Sequence, residues 1–127
     1  MSFPDSWPED CPPSQALACN GSFFHIINQN PAGTDDCRSF HEKGGVLRSP
    51  PRCPCMPFGL SVFTDREDVL HMRRTMPKLG KWVATFTLSG QDGLVMLTPG
   101  QRPTHHTWWP SVECDRPSRI TLIEEVA

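Results

Sequence analysis

Apolar and polar positions alternate along this chain in short, uneven blocks. Residues 22–28 hold Phe23, Phe24, His25, Ile26 and Ile27 in near-continuous succession, which predicts a strand covered on both faces. Asn30-Pro31-Ala32-Gly33 signals a turn. Residues 34–43 predict a short helix, with Thr34 as N-cap, Asp35 and Asp36 in the first turn, and Cys37, Phe40 and His41 on one face. Gly44-Gly45 is a standard stop. Pro50, Pro51, Pro54 and Pro57 then predict a stiff, irregular loop. Gly59-Leu60-Ser61-Val62-Phe63 predicts a strand that runs straight into a helix. Thr64 and Glu67 fit a capping box for that helix, with Val69, Met72 and Met76 on its apolar face and Pro77 ending it.

Residues 81–88 alternate strictly, with Trp82, Ala84, Phe86 and Leu88 on one side. Gly90-Gln91-Asp92-Gly93 predicts a turn, and residues 94–97 return as the second arm of a hairpin. Residues 98–117 read as loop and 119–126 as a last strand. The first 21 residues hold four prolines and read as an arm, anchored by Phe3 and Trp7, with one helical turn at 15–19. The pattern predicts a Pro-rich arm (1–21) and a single α+β domain (22–127). That domain has two main helices and a small mixed or antiparallel sheet.

The 127-residue length suits one modest core. No apolar run approaches the ~18 residues of a spanning helix, so no membrane partner is expected. The first ten residues carry acids and no Lys or Arg, the wrong sign for an export signal. A cytoplasmic location is therefore expected. Free thiols are then the default for the six cysteines, with bridges open if the chain is exported. Net charge is −2, which excludes a generally basic nucleic-acid binder. Between Arg38 and Lys81, however, nine basic residues face four acids. A basic middle between acidic ends suits a phosphate-bearing ligand or an acidic protein, or an ordinary solvated surface.

Three groups of residues have chemistry to offer. The first is Thr104-His105-His106-Thr107-Trp108-Trp109. Its histidines suit phosphate, metal or proton transfer, and its tryptophans a stacking wall for a ring. The alternative puts one Trp in the core and one at a sheet edge, with the histidines bonding loop backbone. The second is Cys53-Pro54-Cys55. With Cys37 and Cys114, or with His41, His105 or His106, it supplies ligand types for zinc. The alternative is small, partly buried apolar residues. The third is His25 and Ser61, polar residues inside apolar strands, where a buried polar group is costly unless used. A satisfied core histidine is the plain alternative for His25. No Gly-rich phosphate loop is present, which disfavours a dinucleotide-binding Rossmann domain.

A His-bearing strand, a short helix closing at Gly44, a Pro-rich loop, the Ser61 strand feeding a helix, then hairpin strands follow one another here. In this order the chain resembles the small ADP-ribosyltransferase-like fold of bacterial toxins and effectors and of RNA 2'-phosphotransferases. The resemblance implies that His25 contacts the NAD ribose and that Ser61 lines the nicotinamide pocket. It offers Glu113 or Glu124 as the later acidic residue. Trp108 or Trp109 would stack on a ring, His105 or His106 would meet phosphate, and Arg48 or Arg52 would neutralise the pyrophosphate. The expected function is an NAD- or nucleotide-binding protein, extending to transfer of ADP-ribose to a protein or nucleic acid. The second expectation, from a different class, is a non-catalytic immunity protein, antitoxin or inhibitor that binds a protein partner through exposed loops and Trp residues.

Overall fold

The computed structural model describes residues 1–126. Its strands are β1 (Leu17–Ala18), β2 (Gly21–Ile27), β3 (Leu60–Phe63), β4 (Trp82–Leu88), β5 (Gly93–Leu97), β6 (His105–Pro110) and β7 (Ile120–Glu125). One α-helix, α1 (Arg66–Thr75), lies between β3 and β4. The seven strands form one sheet in the order β1-β5-β6-β3-β2-β4-β7. Every neighbouring pair is antiparallel. The fold is α+β, with a fully antiparallel sheet and a single α-helix among the described residues.

Alternation along the strands divides the apolar residues between two faces. One face carries the largest cluster, with Phe23, Ile27, Leu60, Val62, Phe86 and Trp108 buried together. The opposite face has two neighbouring clusters. Under α1 lie Phe63, Val69 and Val83, flanked by Phe24 and Ile26. Between the N-terminal arm and the sheet, the arm's Trp7 packs with Cys55 and Trp109, flanked by the arm's Phe3 and by Phe58 and Met96. The arm thus covers the half of this face that a second helix would otherwise cover. A disulfide from Cys11 to Cys55 ties it down. This bridge departs from the free-thiol expectation, and it is the kind of bond that oxidising surroundings sustain. No helix among the described residues is long and apolar enough to cross a membrane.

Several expected elements are corrected. The helix over 34–43 is only a 3-10 turn, Thr34–Cys37. The Asp36 carboxylate accepts from the backbone N–H groups of Asn28, Gln29 and Gly33, so it folds the turn back onto the end of β2. Arg38 is already extended. Ser39 and Glu42 then make reciprocal side-chain bonds to each other's N–H, the start of a second helix that Gly44 and Gly45 cut short. The cap of α1 is Asp65, not Thr64, since its carboxylate accepts the Glu67 N–H. The segment 15–19 holds β1, paired with β5, and no helical turn.

The expected hairpin of β4 and β5 does not form. β4 pairs with β2 and β7, and β5 with β1 and β6. After the Gly90–Asp92 turn the chain crosses to the other side of the sheet. Gly93 makes the crossing with φ +131°, and a Cβ there would stand 2.1 Å from the Trp109 carbonyl oxygen. Finally, the expected loop 98–117 contains β6, a central strand whose residues reach both faces.

Candidate functional site

β2 and β4 pair in register over seven residues, from Gly21 with Leu88 to Ile27 with Trp82. β2 and β3 are in register only at Phe24 and Phe63. Beyond that pair the two strands splay, and the His25 ring fills the opening. Its Nδ1 lies 2.7 Å from the Ser61 carbonyl oxygen and its Nε2 2.9 Å from the Asp36 carbonyl oxygen. The ring therefore joins β3 to the Thr34–Cys37 turn. Burial lowers the His25 pKa, while the two facing carbonyls pull the other way. A neutral imidazole donates through one nitrogen, so a neutral ring satisfies one of the two carbonyls at a time.

A cavity of about 520 Å³ opens over this splay. His25 and Ser61 lie in its lining together. Arg38, Lys43 and Lys78 bring positive charge, and Phe40, Leu47 and Leu79 bring apolar surface. Arg38 is committed to the Asp35 carboxylate and the Glu42 carbonyl. Among the described residues Lys43 and Lys78 are in no ion pair. The Asp36 carboxylate is buried and occupied by three backbone N–H groups. A polar floor, two uncommitted ammonium groups and an apolar rim converge here from four segments of chain. Such an arrangement can hold an anion that also carries a flat or apolar part.

The other expected site residues lie elsewhere. Trp108 and Trp109 are both 0% exposed, so neither presents a ring face to a ligand. Trp108 Nε1 donates to the Asp92 carbonyl at 3.1 Å, and Trp109 Nε1 to the Cys55 carbonyl at 2.8 Å. His105 and His106 are neighbours on β6 and point to opposite faces. His105 is buried against Thr98, with Nδ1 2.8 Å from the Thr98 carbonyl oxygen, and burial lowers its pKa. His106 Nδ1 sits 2.8 Å from the Thr104 carbonyl oxygen. Arg52 donates to the Thr98 carbonyl and lies across Gly100. Arg48 is exposed on the loop before it and is not in the cavity lining.

Glu113 accepts from the backbone N–H and hydroxyl of Ser2, which fastens the chain start. Glu124 is paired with Arg66 at 2.5 Å. Neither carboxylate lines the cavity. The four cysteines weighed for zinc are divided between the two sheet faces. Cys37 and Cys114 pack in the large cluster, and Cys53 and Cys55 pack under the arm, where Cys55 is bridged to Cys11. No group of three metal-ligating side chains occurs among the described residues.

Reasoning from sequence missed Lys43, Lys78, Phe40, Leu47 and Leu79 as cavity residues. The surplus of positive charge between Arg38 and Lys81 was the only signal for the two lysines, and it carried no information on convergence. A scan against protein-family models finds none that matches this chain, and searches of curated proteins and of solved structures return no match.

Proposed function

We propose that the protein binds a nucleotide-like anion in the cavity over the β2–β3 splay. The observation that carries this reading is the meeting of the uncommitted Lys43 and Lys78 with the His25–Ser61 floor in one cavity of about 520 Å³. The ammonium groups meet phosphate, and Phe40, Leu47 and Leu79 cover the ring. NAD belongs to this ligand class. Transfer of ADP-ribose to a protein or nucleic acid is the extended form of the proposal, and it needs an acidic group that Glu113 and Glu124 do not bring to the cavity.

The test is thermal unfolding with and without millimolar NAD⁺ and, separately, AMP. The expected result is an upward shift in wild type that the Lys43→Ala/Lys78→Ala double variant loses. At a ligand concentration 100 times Kd the linkage amounts to about 2.7 kcal/mol, a shift of several degrees for a domain of this size. No shift with either nucleotide rejects the reading.

A second reading rests on a different observation. Val46 is 82% exposed and Leu47 50%, and Leu47 shares the cavity lining with the exposed Phe40 and Leu79. An immunity-type, antitoxin or inhibitor protein uses such a patch to bind a protein partner. Val46→Asp distinguishes the two. It would leave nucleotide-induced stabilisation intact and abolish partner capture.

A further inference from the structure

The six cysteines fall into two chemically different groups. Cys19, Cys37 and Cys114 belong to the large core cluster, where burial is the main force pushing their thiols up to about 12, 11 and 11. They stay protonated at neutral pH and are poor nucleophiles. Cys11, Cys53 and Cys55 lie on the opposite face and all line one cavity of about 780 Å³ between the arm and the Cys53-Pro54-Cys55 turn. Cys11 and Cys55 are bridged, and Cys53 is free and partly exposed. A purely structural clasp needs two cysteines. Here a third thiol opens into the same cavity, two residues from one bridged partner.

The backbone of this turn is held independently of the bridge. The Met56 N–H donates to the Cys53 carbonyl, and the Phe58 N–H and the Trp109 indole donate to the Cys55 carbonyl. Opening the bridge therefore leaves Cys53 and Cys55 side by side at the cavity wall. The geometry points to a thiol–disulfide exchange site in this cavity, which an incoming thiol compound opens as a regenerated co-reactant and which Cys53 resolves.

The steps conserve atoms and electrons. An incoming thiolate bonds to Cys11 Sγ, the Cys11–Cys55 bond breaks, and Cys55 leaves with the electron pair and takes a proton from water. The Cys53 thiolate, its proton lost to water, then attacks Cys11 Sγ. This forms a Cys11–Cys53 bridge and expels the incoming thiol. No net oxidant is consumed. The arm is released in the mixed-disulfide intermediate and fastened again at the end, with its anchor moved by two residues.

The experiment treats the oxidised full-length protein with reduced glutathione or, in a parallel arm, with a cysteine-containing peptide. Samples are quenched in acid, alkylated and mapped by mass spectrometry. The expected result in wild type is a growing Cys11–Cys53 bridge with Cys55 becoming alkylated. In Cys53→Ser the nearby resolving thiol is Cys55, so the mixed disulfide on Cys11 collapses back to the original Cys11–Cys55 bridge and no bridged species with alkylated Cys55 accumulates, whereas Cys114→Ser behaves as wild type. The faster arm identifies the source of the thiol. Circular dichroism checks that Cys53→Ser is folded, and Cys53→Ala repeats the test without a hydroxyl. If neither thiol yields a Cys11–Cys53 bridge with alkylated Cys55 in the wild type, the proposal is overturned.

Discussion

The His25 ring lies between the Ser61 and Asp36 carbonyls and, when neutral, donates to one of them at a time. Replacing it with Ala removes that one hydrogen bond from the Ser61 or Asp36 oxygen, so His25→Ala is expected to cost about 1–3 kcal/mol in urea unfolding. The same ring, with His105, makes the protein acid-sensitive. Both pKa values are lowered in the fold, chiefly by burial, so the unfolded chain binds more protons. Their contribution is complete above the ordinary histidine value of ~6.5 and is lost as pH falls through their folded values. Asp68 adds a second phase. It is buried and accepts from the Thr104 hydroxyl, the Arg102 guanidinium and the Thr104 N–H, and these bonds hold its pKa below the usual carboxylate range. Asp92 and Glu42 are lowered too, because hydrogen bonds and Arg partners outweigh their burial. The stability of these three is present above ~4 and lost below it. Denaturation midpoints measured from pH 8 to pH 3 should therefore fall in two stages. In Asp68→Asn the second stage should shrink.

At the scale of elements, caps and glycines decide where strands and helix stop. Asp65→Ala is expected to destabilise by ~1 kcal/mol through loss of the cap, and Thr64→Ala by less. The reverse order in thermal unfolding would return the cap to Thr64. Gly93 and Gly90 offer a sharper contrast in one turn. Gly93→Ala drives a Cβ into the Trp109 carbonyl at positive φ, whereas Gly90 has no neighbour within 4 Å of such an atom. Gly93→Ala should cost at least about 2 kcal/mol and Gly90→Ala under about 1 kcal/mol, by the usual limits for backbone strain. The strands 81–88 and 59–63 were legible in the sequence because their side chains alternate against covered faces. β6 was not. Its His, Thr and Trp residues are chemically conspicuous, yet as the sheet's third strand they are buried on both faces, so conspicuous chemistry there serves packing.

For the whole molecule, the arm and the sheet stand or fall together. The Cys11–Cys55 bridge closes a chain separation of 44 residues. By the loop-entropy relation its removal in Cys11→Ala should lower unfolding free energy by about 4 kcal/mol, less any structure retained in the unfolded chain. Trp109→Ala should cost a comparable 3–5 kcal/mol, the range for emptying a buried aromatic site, because it hollows the cluster that the arm covers. Both are read as urea midpoints.

Periodicity alone determined most of the strands, the helix Arg66–Thr75 and the α+β class, while the second helix it predicted over 34–43 did not form. It also singled out His25 and Ser61, which meet at one cavity. Those features depend on the spacing of apolar residues and on local caps, and spacing is written in the chain. Only the tertiary structure decided which strands are neighbours, where β5 crosses, which cysteines bridge and which cations converge on the cavity. Most of these depend on contacts between residues far apart in the chain, such as His25 with Ser61, 36 positions away, and Ser2 with Glu113, 111 positions away. Local propensity carries no record of such distances, because the energy that selects them comes from burying two distant surfaces at once.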